Sequence, residues 1–154
     1  DLDHIQVVVQ PQSIIHSMVE FEDGAVIAQL GSADMRIPIQ LALTYPERLP
    51  SPAKKLSLFD VGQLTFGRAD EGTFTCLAAA KKAISLEGNA PCIVNSANEA
   101  AVALFLDRKI NFLDIGDVVN GALETVKFIA QPTLEDILDT RRAAEEYVAA
   151  RFGN

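Results

Sequence analysis

Ile14-Ile15-His16-Ser17-Met18-Val19-Glu20-Phe21-Glu22-Asp23-Gly24-Ala25-Val26-Ile27-Ala28-Gln29-Leu30 holds two β-rich runs around a short polar break. Ile14 to Phe21 and Ala25 to Leu30 are the runs, and Asp23-Gly24 between them predicts a hairpin. Upstream, Ile5 to Val9 is an apolar, β-branched stretch apart from Gln6, which predicts a strand buried on both faces and stopped by Pro11. Downstream, Gly31 ends the second run. Pro38 fits the first turn of a helix, and Ile39, Leu41, Ala42, Leu43 and Tyr45 continue it until Pro46. Leu49-Pro50-Ser51-Pro52 reads as a turn. Leu56 to Phe66 predicts another extended piece, with Leu58, Leu64 and Phe66 available for burial.

Beyond residue 70 the texture becomes helical. Thr73 or Thr75 is placed to cap a helix through Leu77, Ala80, Lys81 and Ile84 to Gly88. Asn95 or Ser96 is the expected cap of a second, carrying Ala97, Ala101, Leu104 and Phe105. Asn111 opens a third, in which Ile115, Val118, Val119, Ala122, Leu123 and Val126 keep helical spacing. Gly116 and Gly121 weaken that helix or admit a close neighbour. Thr133 with Asp136 resembles a capping box for a fourth helix through Leu134, Ile137, Leu138, Ala144 and Val148 to Gly153. The expected fold class is therefore α+β: a β-rich part (strand, hairpin, short helix) over 1–70, then a four-helix bundle over 71–154.

Composition narrows the function classes. Of 154 residues, 49% are hydrophobic and 22% charged, enough for a packed core. The net charge of -8, with Lys54-Lys55 and Lys81-Lys82 as isolated basic pairs, disfavours nucleic acid. No apolar stretch approaches the roughly 20 residues of a membrane span. Asp1-Leu2-Asp3-His4 opens acidic where a signal peptide opens basic. The lack of an initial Met suggests a chain cut from something longer. Cys76 and Cys92 match no zinc or redox spacing and read as free buried thiols.

Standard catalytic motifs are missing. There is no G-x-G-x-x-G after a strand, no P-loop and no G-x-S-x-G elbow. His4 and His16 have no carboxylate or cysteine at ligand spacing, so no metal residue is assigned. Ser13 and His16 suggest a nucleophile–base pair, but on one strand their odd offset points them to opposite faces, and no third group orients the histidine. A packed or hydrogen-bonded histidine is the better expectation. Asp70-Glu71 and Glu145-Glu146 read as solvated surface. Asn95-Ser96-Ala97-Asn98-Glu99 reads as capping and loop stabilisation unless a pocket lies beside it. No catalytic residue follows from residue chemistry alone.

A resemblance goes further. Gln10-Pro11-Gln12-Ser13-Ile14-Ile15-His16-Ser17-Met18 resembles a signature of the 1-deoxy-D-xylulose 5-phosphate reductoisomerase family, His-Pro-Gln-Ser, a β-branched pair, then His-Ser-Met. Ala28-Gln29-Leu30-Gly31, Asp34-Met35-Arg36, Pro38-Ile39, Tyr45-Pro46-Glu47-Arg48, Leu64-Thr65-Phe66 and Asn95 to Ala100 follow in family order. The resemblance implies the end of a catalytic domain followed by the C-terminal helical domain. Upstream would lie the NADPH fingerprint, the acidic ligands of Mg or Mn, and the residues gripping the sugar phosphate. The isolated chain is then expected to bind neither cofactor and to be inactive. The same resemblance implies Met35 beside the nicotinamide, a homodimer through the Ile14–Leu30 hairpin, and a bacterial cytoplasmic or a plastid location. Gln10 departs from the family His. Glutamine donates and accepts hydrogen bonds but does not titrate, so a proton-handling role there is lost.

Overall fold

The computed structural model describes residues 2–152, and its contacts divide the chain into two compact units. One comprises Asp1–Gln6 and Ala69–Asn154, the other Val7–Arg68. The class is α+β, as expected: short antiparallel strands and six α-helices among the described residues.

In the Val7–Arg68 unit, β1 (Val8–Val9) pairs antiparallel with β4 (Gly67–Arg68). The predicted five-residue buried strand is thus only two residues long. Ile5 and Val7 lie exposed and outside it, and Leu2–His4, which belongs with the helical unit, forms a 3₁₀ turn that packs on a helix of that same unit. The Ile5–Val9 run was apolar for burial that this chain does not supply to Ile5 or Val7.

The hairpin forms where Asp23-Gly24 placed it. β2 (Ile15–Glu20) and β3 (Val26–Leu30) pair antiparallel. Gly24 adopts φ +82 and its N–H donates to the Phe21 carbonyl at 2.9 Å, while Asp23 Oδ1 accepts from the Ala25 amide at 2.9 Å. The register slips between Ile15 and Ser17, so His16 is the extra residue of a β-bulge. After the hairpin come α1 (Arg36–Thr44), which contains Pro38 in its first turn, and α2 (Leu58–Val61), capped by the Ser57 hydroxyl accepting from Asp60 N–H. The extended piece expected across Leu56–Phe66 is therefore interrupted by a helical turn. Leu58 and Phe66 are exposed rather than buried, and only Leu64 is half-buried.

The helical unit consists of α3 (Thr75–Leu86), α4 (Ala90–Leu106), α5 (Asp114–Thr125) and α6 (Leu134–Phe152). α4 lies against the other three, and its Ile93, Ala97 and Ala101 meet Val118, Val119 and Ala122 of α5 and Val148 of α6 in one buried cluster. Alanines keep the helix axes close, while each fully buried Ile or Val contributes roughly 1.5–3 kcal/mol. The third-helix spacing holds in α5 from Ile115 to Leu123, but Asn111 does not open the helix: it lies before Leu113, the N-cap position, and donates to Asp114 Oδ2, while Val126 is the extended residue after the last turn. The glycines of α5 mark close approaches. A methyl on Gly116 would meet the Thr75 hydroxyl, and one on Gly121 the Tyr147 hydroxyl. The Thr133–Asp136 capping box is present: Asp136 Oδ2 accepts from Thr133 N–H at 2.9 Å, and Asp136 N–H donates to Thr133 Oγ1 at 3.2 Å. The expected stop at Gly153 lies outside the described residues.

Two expected caps are corrected. Neither Thr73 nor Thr75 caps α3; its N-cap position is Phe74, and Thr73 instead donates its hydroxyl to Asp70 at 2.7 Å. Neither Asn95 nor Ser96 caps α4, which starts a turn and a half earlier and runs through both. The true start is Gly88-Asn89-Ala90-Pro91, with proline in the first turn. Asn89 is fully buried, and its side chain is spent on tertiary partners. Nδ2 donates to the Lys127 carbonyl and to Thr140 Oγ1, both at 2.9 Å, and Oδ1 accepts from Ile129 N–H at 2.8 Å.

Gly88 stands at φ +55, and a Cβ there would strike the Ile129 carbonyl and come within 3.0 Å of Ala130 Cα. Backbone atoms cannot swing aside as a side chain can. Gly88→Ala is expected to lower stability by roughly 2–4 kcal/mol in urea unfolding. A loss below about 0.5 kcal/mol would show that the two segments are not held together there.

Candidate functional site

The strongest candidate lies within the Val7–Arg68 unit and begins with a turn. Gln10-Pro11-Gln12-Ser13 closes with Ser13 N–H donating to the Gln10 carbonyl at 3.0 Å, and Ser13 is left-handed at φ +52. Ser13 therefore sits before β2, not on it, and His16 sits on the bulge. The strand alternation that would oppose their side chains does not apply. Both line one cleft of about 530 Å³, together with Gln29, Met35, Leu41 and Arg48.

Gln29 organises the wall beside His16. His16 Nδ1 and Gln29 Oε1 are 3.2 Å apart, and Gln29 Nε2 donates to the Leu30 carbonyl at 3.1 Å. That second bond fixes Oε1 as the atom facing the ring, so Nδ1 is the donor of the pair. Gly31 lets the chain pass close by, since a Cβ there would stand 3.4 Å from Gln29 Nε2. Among the described residues no hydrogen bond joins Ser13 to His16, and the group on Nδ1 is an amide, not a carboxylate. The arrangement does not make a serine nucleophile.

At the far side, Asp34-Met35-Arg36 leads into α1. Asp34 Oδ1 accepts from Arg36 N–H at 3.0 Å and from its Nε at 2.9 Å, and Oδ2 meets Nη2 at 2.5 Å. The Arg36 guanidinium beside it, aided by the backbone N–H, lowers the Asp34 carboxyl to about 2. Asp34 is thus an anion already engaged on both oxygens, poorly suited to bind a metal or move a proton near neutrality. Between this pair, Met35 stands with 71% of its surface exposed and lines the cleft. It does not fill the core gap that its apolar character alone would suggest. A flexible, polarisable side chain in this position suits contact with a flat aromatic ligand.

Elsewhere the sequence candidates separate. His4 lies in the 3₁₀ turn and is exposed. Among the described residues no three His, Cys, Asp or Glu side chains gather as a metal site. Asp70 folds its own turn, accepting from Gly72 N–H at 3.0 Å, and Thr73 holds its carboxyl below the usual range. Glu71 pairs with Lys81 at 2.5 Å and Glu145 with Arg141 at 2.7 Å, both on the surface. Cys76 and Cys92 are free and half-buried, and burial pushes the Cys76 thiol up.

Asn95 and Asn98 do border a pocket, an apolar cleft of about 450 Å³ in the helical unit shared with Cys76, Leu77 and Ile84. Asn95 also reaches Glu99 one turn on, at 3.3 Å. Asn89 was missed as a key residue, although Asn before Ala-Pro directly after a glycine carries the signal of a helix start. Gln29 was missed because only the bulge brings it to His16. No described helix is long and apolar enough to cross a membrane.

Comparison with known proteins gives the family of the chain. The family model described as DXP reductoisomerase C-terminal domain matches residues 30–147. A 1-deoxy-D-xylulose 5-phosphate reductoisomerase of Agathobacter rectalis is 52% identical over 152 residues, covering 99% of this chain and 40% of that protein. One from Lachnospira eligens is 50% identical over 150 residues, with 97% and 40% covered. The solved Zymomonas mobilis enzyme in complex with NADPH aligns at TM-score 0.83 and 41% identity, over 100% of this chain and 41% of that one. A DOX-P reductoisomerase in complex with NADPH, fosmidomycin and magnesium aligns at TM-score 0.84 and 38% identity, over 96% and 38%. The chain spans about two fifths of the length of the relatives it matches. With the ordered motifs, the matched model and these relatives in agreement, this chain belongs to the DXP reductoisomerase family and carries its C-terminal domain.

Proposed function

We propose that these residues are the C-terminal portion of an enzyme that converts 1-deoxy-D-xylulose 5-phosphate to 2-C-methyl-D-erythritol 4-phosphate. NADPH and a divalent metal, Mg or Mn, would serve that reaction. In this reading residues 1–70 end the catalytic domain, 71–154 form the C-terminal helical bundle, and the chain by itself does not turn over. The observation carrying it is the alignment of nearly the whole chain, at 38% identity, with a reductoisomerase solved with NADPH, fosmidomycin and magnesium.

The residues present fit one part of such a site and not another. Met35, on an apolar wall with Leu41, fits the face of a nicotinamide ring, and it is the one cofactor contact assigned to this chain. NADPH, when bound, supplies the hydride. The chain's own contribution is a wall that excludes water, with the His16 and Ser13 side chains held at its rim. No metal or phosphate ligand is assigned to this chain: Asp34 is committed to Arg36, and the family resemblance puts those ligands in the upstream part of the enzyme. The same reading places the protein in the bacterial cytoplasm, or in a plastid if the source is a plant or alga.

A second, compatible role is assembly. The hairpin exposes Val19, Phe21, Val26 and Ile27, the last at 65%, and among the described residues it pairs with no third strand. A lone two-stranded hairpin is marginal in water, and such an edge invites pairing. We assign Ile14–Leu30 to a homodimer contact.

The purified chain with 1-deoxy-D-xylulose 5-phosphate, NADPH and magnesium is expected to oxidise no NADPH, and turnover would refute an upstream site. Joined to the upstream portion of the Agathobacter rectalis enzyme it should turn over, and Met35→Ala in that fusion should raise the KM for NADPH roughly 2- to 10-fold, the size of a lost thioether–aromatic contact. An inactive fusion, or an unchanged KM, counts against these assignments. For the hairpin, light scattering should give a dimer mass that Ile27→Glu converts to a monomer. A monomer at every concentration would remove the assembly role.

A further inference from the structure

We propose that Gln10 is a positioning residue, whose side-chain oxygen acts as the hydrogen-bond acceptor that holds Ser13 and His16 at the cleft. Its geometry stands on the structure alone; its catalytic consequence rests on the reductoisomerase reading.

The case is one of donors and acceptors. Gln10 Oε1 accepts from Ile14 N–H at 2.8 Å and, more weakly, from Ile15 N–H at 3.4 Å. A backbone N–H only donates, so the amide orientation is fixed with oxygen toward Ile14, leaving Nε2 to donate to Gln12 Oε1 at 2.6 Å. Gln12 Oε1 also accepts from Thr65 N–H at 3.3 Å, and Gln12 Nε2 donates to Thr65 Oγ1 at 2.9 Å. A single directional chain thus runs from the amides after the turn, through two glutamines, to Thr65.

What the chain holds is the strained part of the cleft. Ser13 lies in the left-handed region, a conformation that costs a serine free energy unless its surroundings enforce it. The Gln10 side chain grips the first two amides beyond Ser13, and the Gln10 carbonyl accepts from Ser13 itself at 3.0 Å. Ser13 is thus bracketed by one residue, and His16 follows on the bulge two residues after Ile14. The need at position 10 is an acceptor at the right reach, not a proton carrier. A neutral histidine also meets it, since its Nε2 lies as many bonds from Cα as Oε1 of glutamine does. An imidazolium does not, having no acceptor left. The groups that the Gln10 side chain touches, on Gln12, Ile14 and Ile15, do not titrate.

The test uses the full chain as Gln10, Gln10→Leu and Gln10→His, reading Ile14 amide protection and the His16 ring resonances at about pH 8 and about pH 5, either side of an ordinary histidine pKa. Gln10→Leu should lose about tenfold in Ile14 protection, the worth of one hydrogen bond, and shift the His16 signals at both pH values. Gln10→His should match the parent at the higher pH and Gln10→Leu at the lower. Unchanged Ile14 and His16 in Gln10→Leu overturn the proposal, and so does Gln10→His behaving like Gln10→Leu at both pH values. Should Gln10→Leu fail to fold, the two pH values of Gln10→His still decide. In the Agathobacter rectalis fusion the same variants should lower kcat/KM about tenfold in the same pattern. A fusion inactive in every form, the Gln10 parent included, rejects the reductoisomerase reading, while the exchange data still judge Gln10.

Discussion

A carboxamide with no exposed surface is the constraint on which the helical unit depends. Asn89 sits where α4 begins, yet its side chain ties the Lys127–Ile129 segment and α6 to that point, using both N–H groups and the oxygen. Asn89 itself is fully buried, so losing these partners would leave its amide groups unpaired away from water, which makes the site costly to break. Gly88 beside it supplies the closeness, because any Cβ would meet the Ile129 backbone. The alanine-rich packing of α4 against α5 and α6 follows, since helices fixed this near to one another have room only for small side chains at their closest points.

The Val7–Arg68 unit is organised differently. It has little apolar core of its own: Ala53 is its one buried apolar side chain among the described residues, while Phe59 is 99% exposed and Leu43 81%. Its order comes from polar devices, namely the glutamine chain to Thr65, the bulge at His16 and the Asp34–Arg36 clamp. Those devices all bear on one cleft. A unit with a shaped polar rim and exposed apolar flanks is what the proposed role requires, since other surfaces of the enzyme would cover the flanks while the rim faces ligand.

Much of this was legible in the residues, for identifiable reasons. Asp23-Gly24 fixed the hairpin because few pairs tolerate its turn, and Thr133–Asp136 fixed a helix start because the hydrogen bonds are local. The spacing from Ile115 to Ala122 gave the buried face of α5. Ordered motifs gave the family. What failed was whatever depended on partners distant in sequence. Ile5, Leu58 and Phe66 are apolar, which says that burial suits them but not that this chain provides it. Asn95 and Ser96 have the residue types of caps, but α4 already begins after Asn89, which the distant segment around Ile129 holds in place. The cleft itself is not legible because strand alternation sends Ser13 and His16 to opposite faces, and only the left-handed turn and the bulge, set by pairing with β3, void it.

The account of the helical unit turns on whether Asn89 joins its parts or merely fills space at a helix start. Urea unfolding of Asn89→Ala, set against Thr140→Ala and the double variant, measures this directly. Asn89→Ala should cost roughly 3 kcal/mol or more, with a coupling to Thr140 of about 1 kcal/mol and faster exchange of the Ile129 amide. A cost below about 1 kcal/mol with no coupling, the loss expected of an ordinary exposed cap, would contradict it.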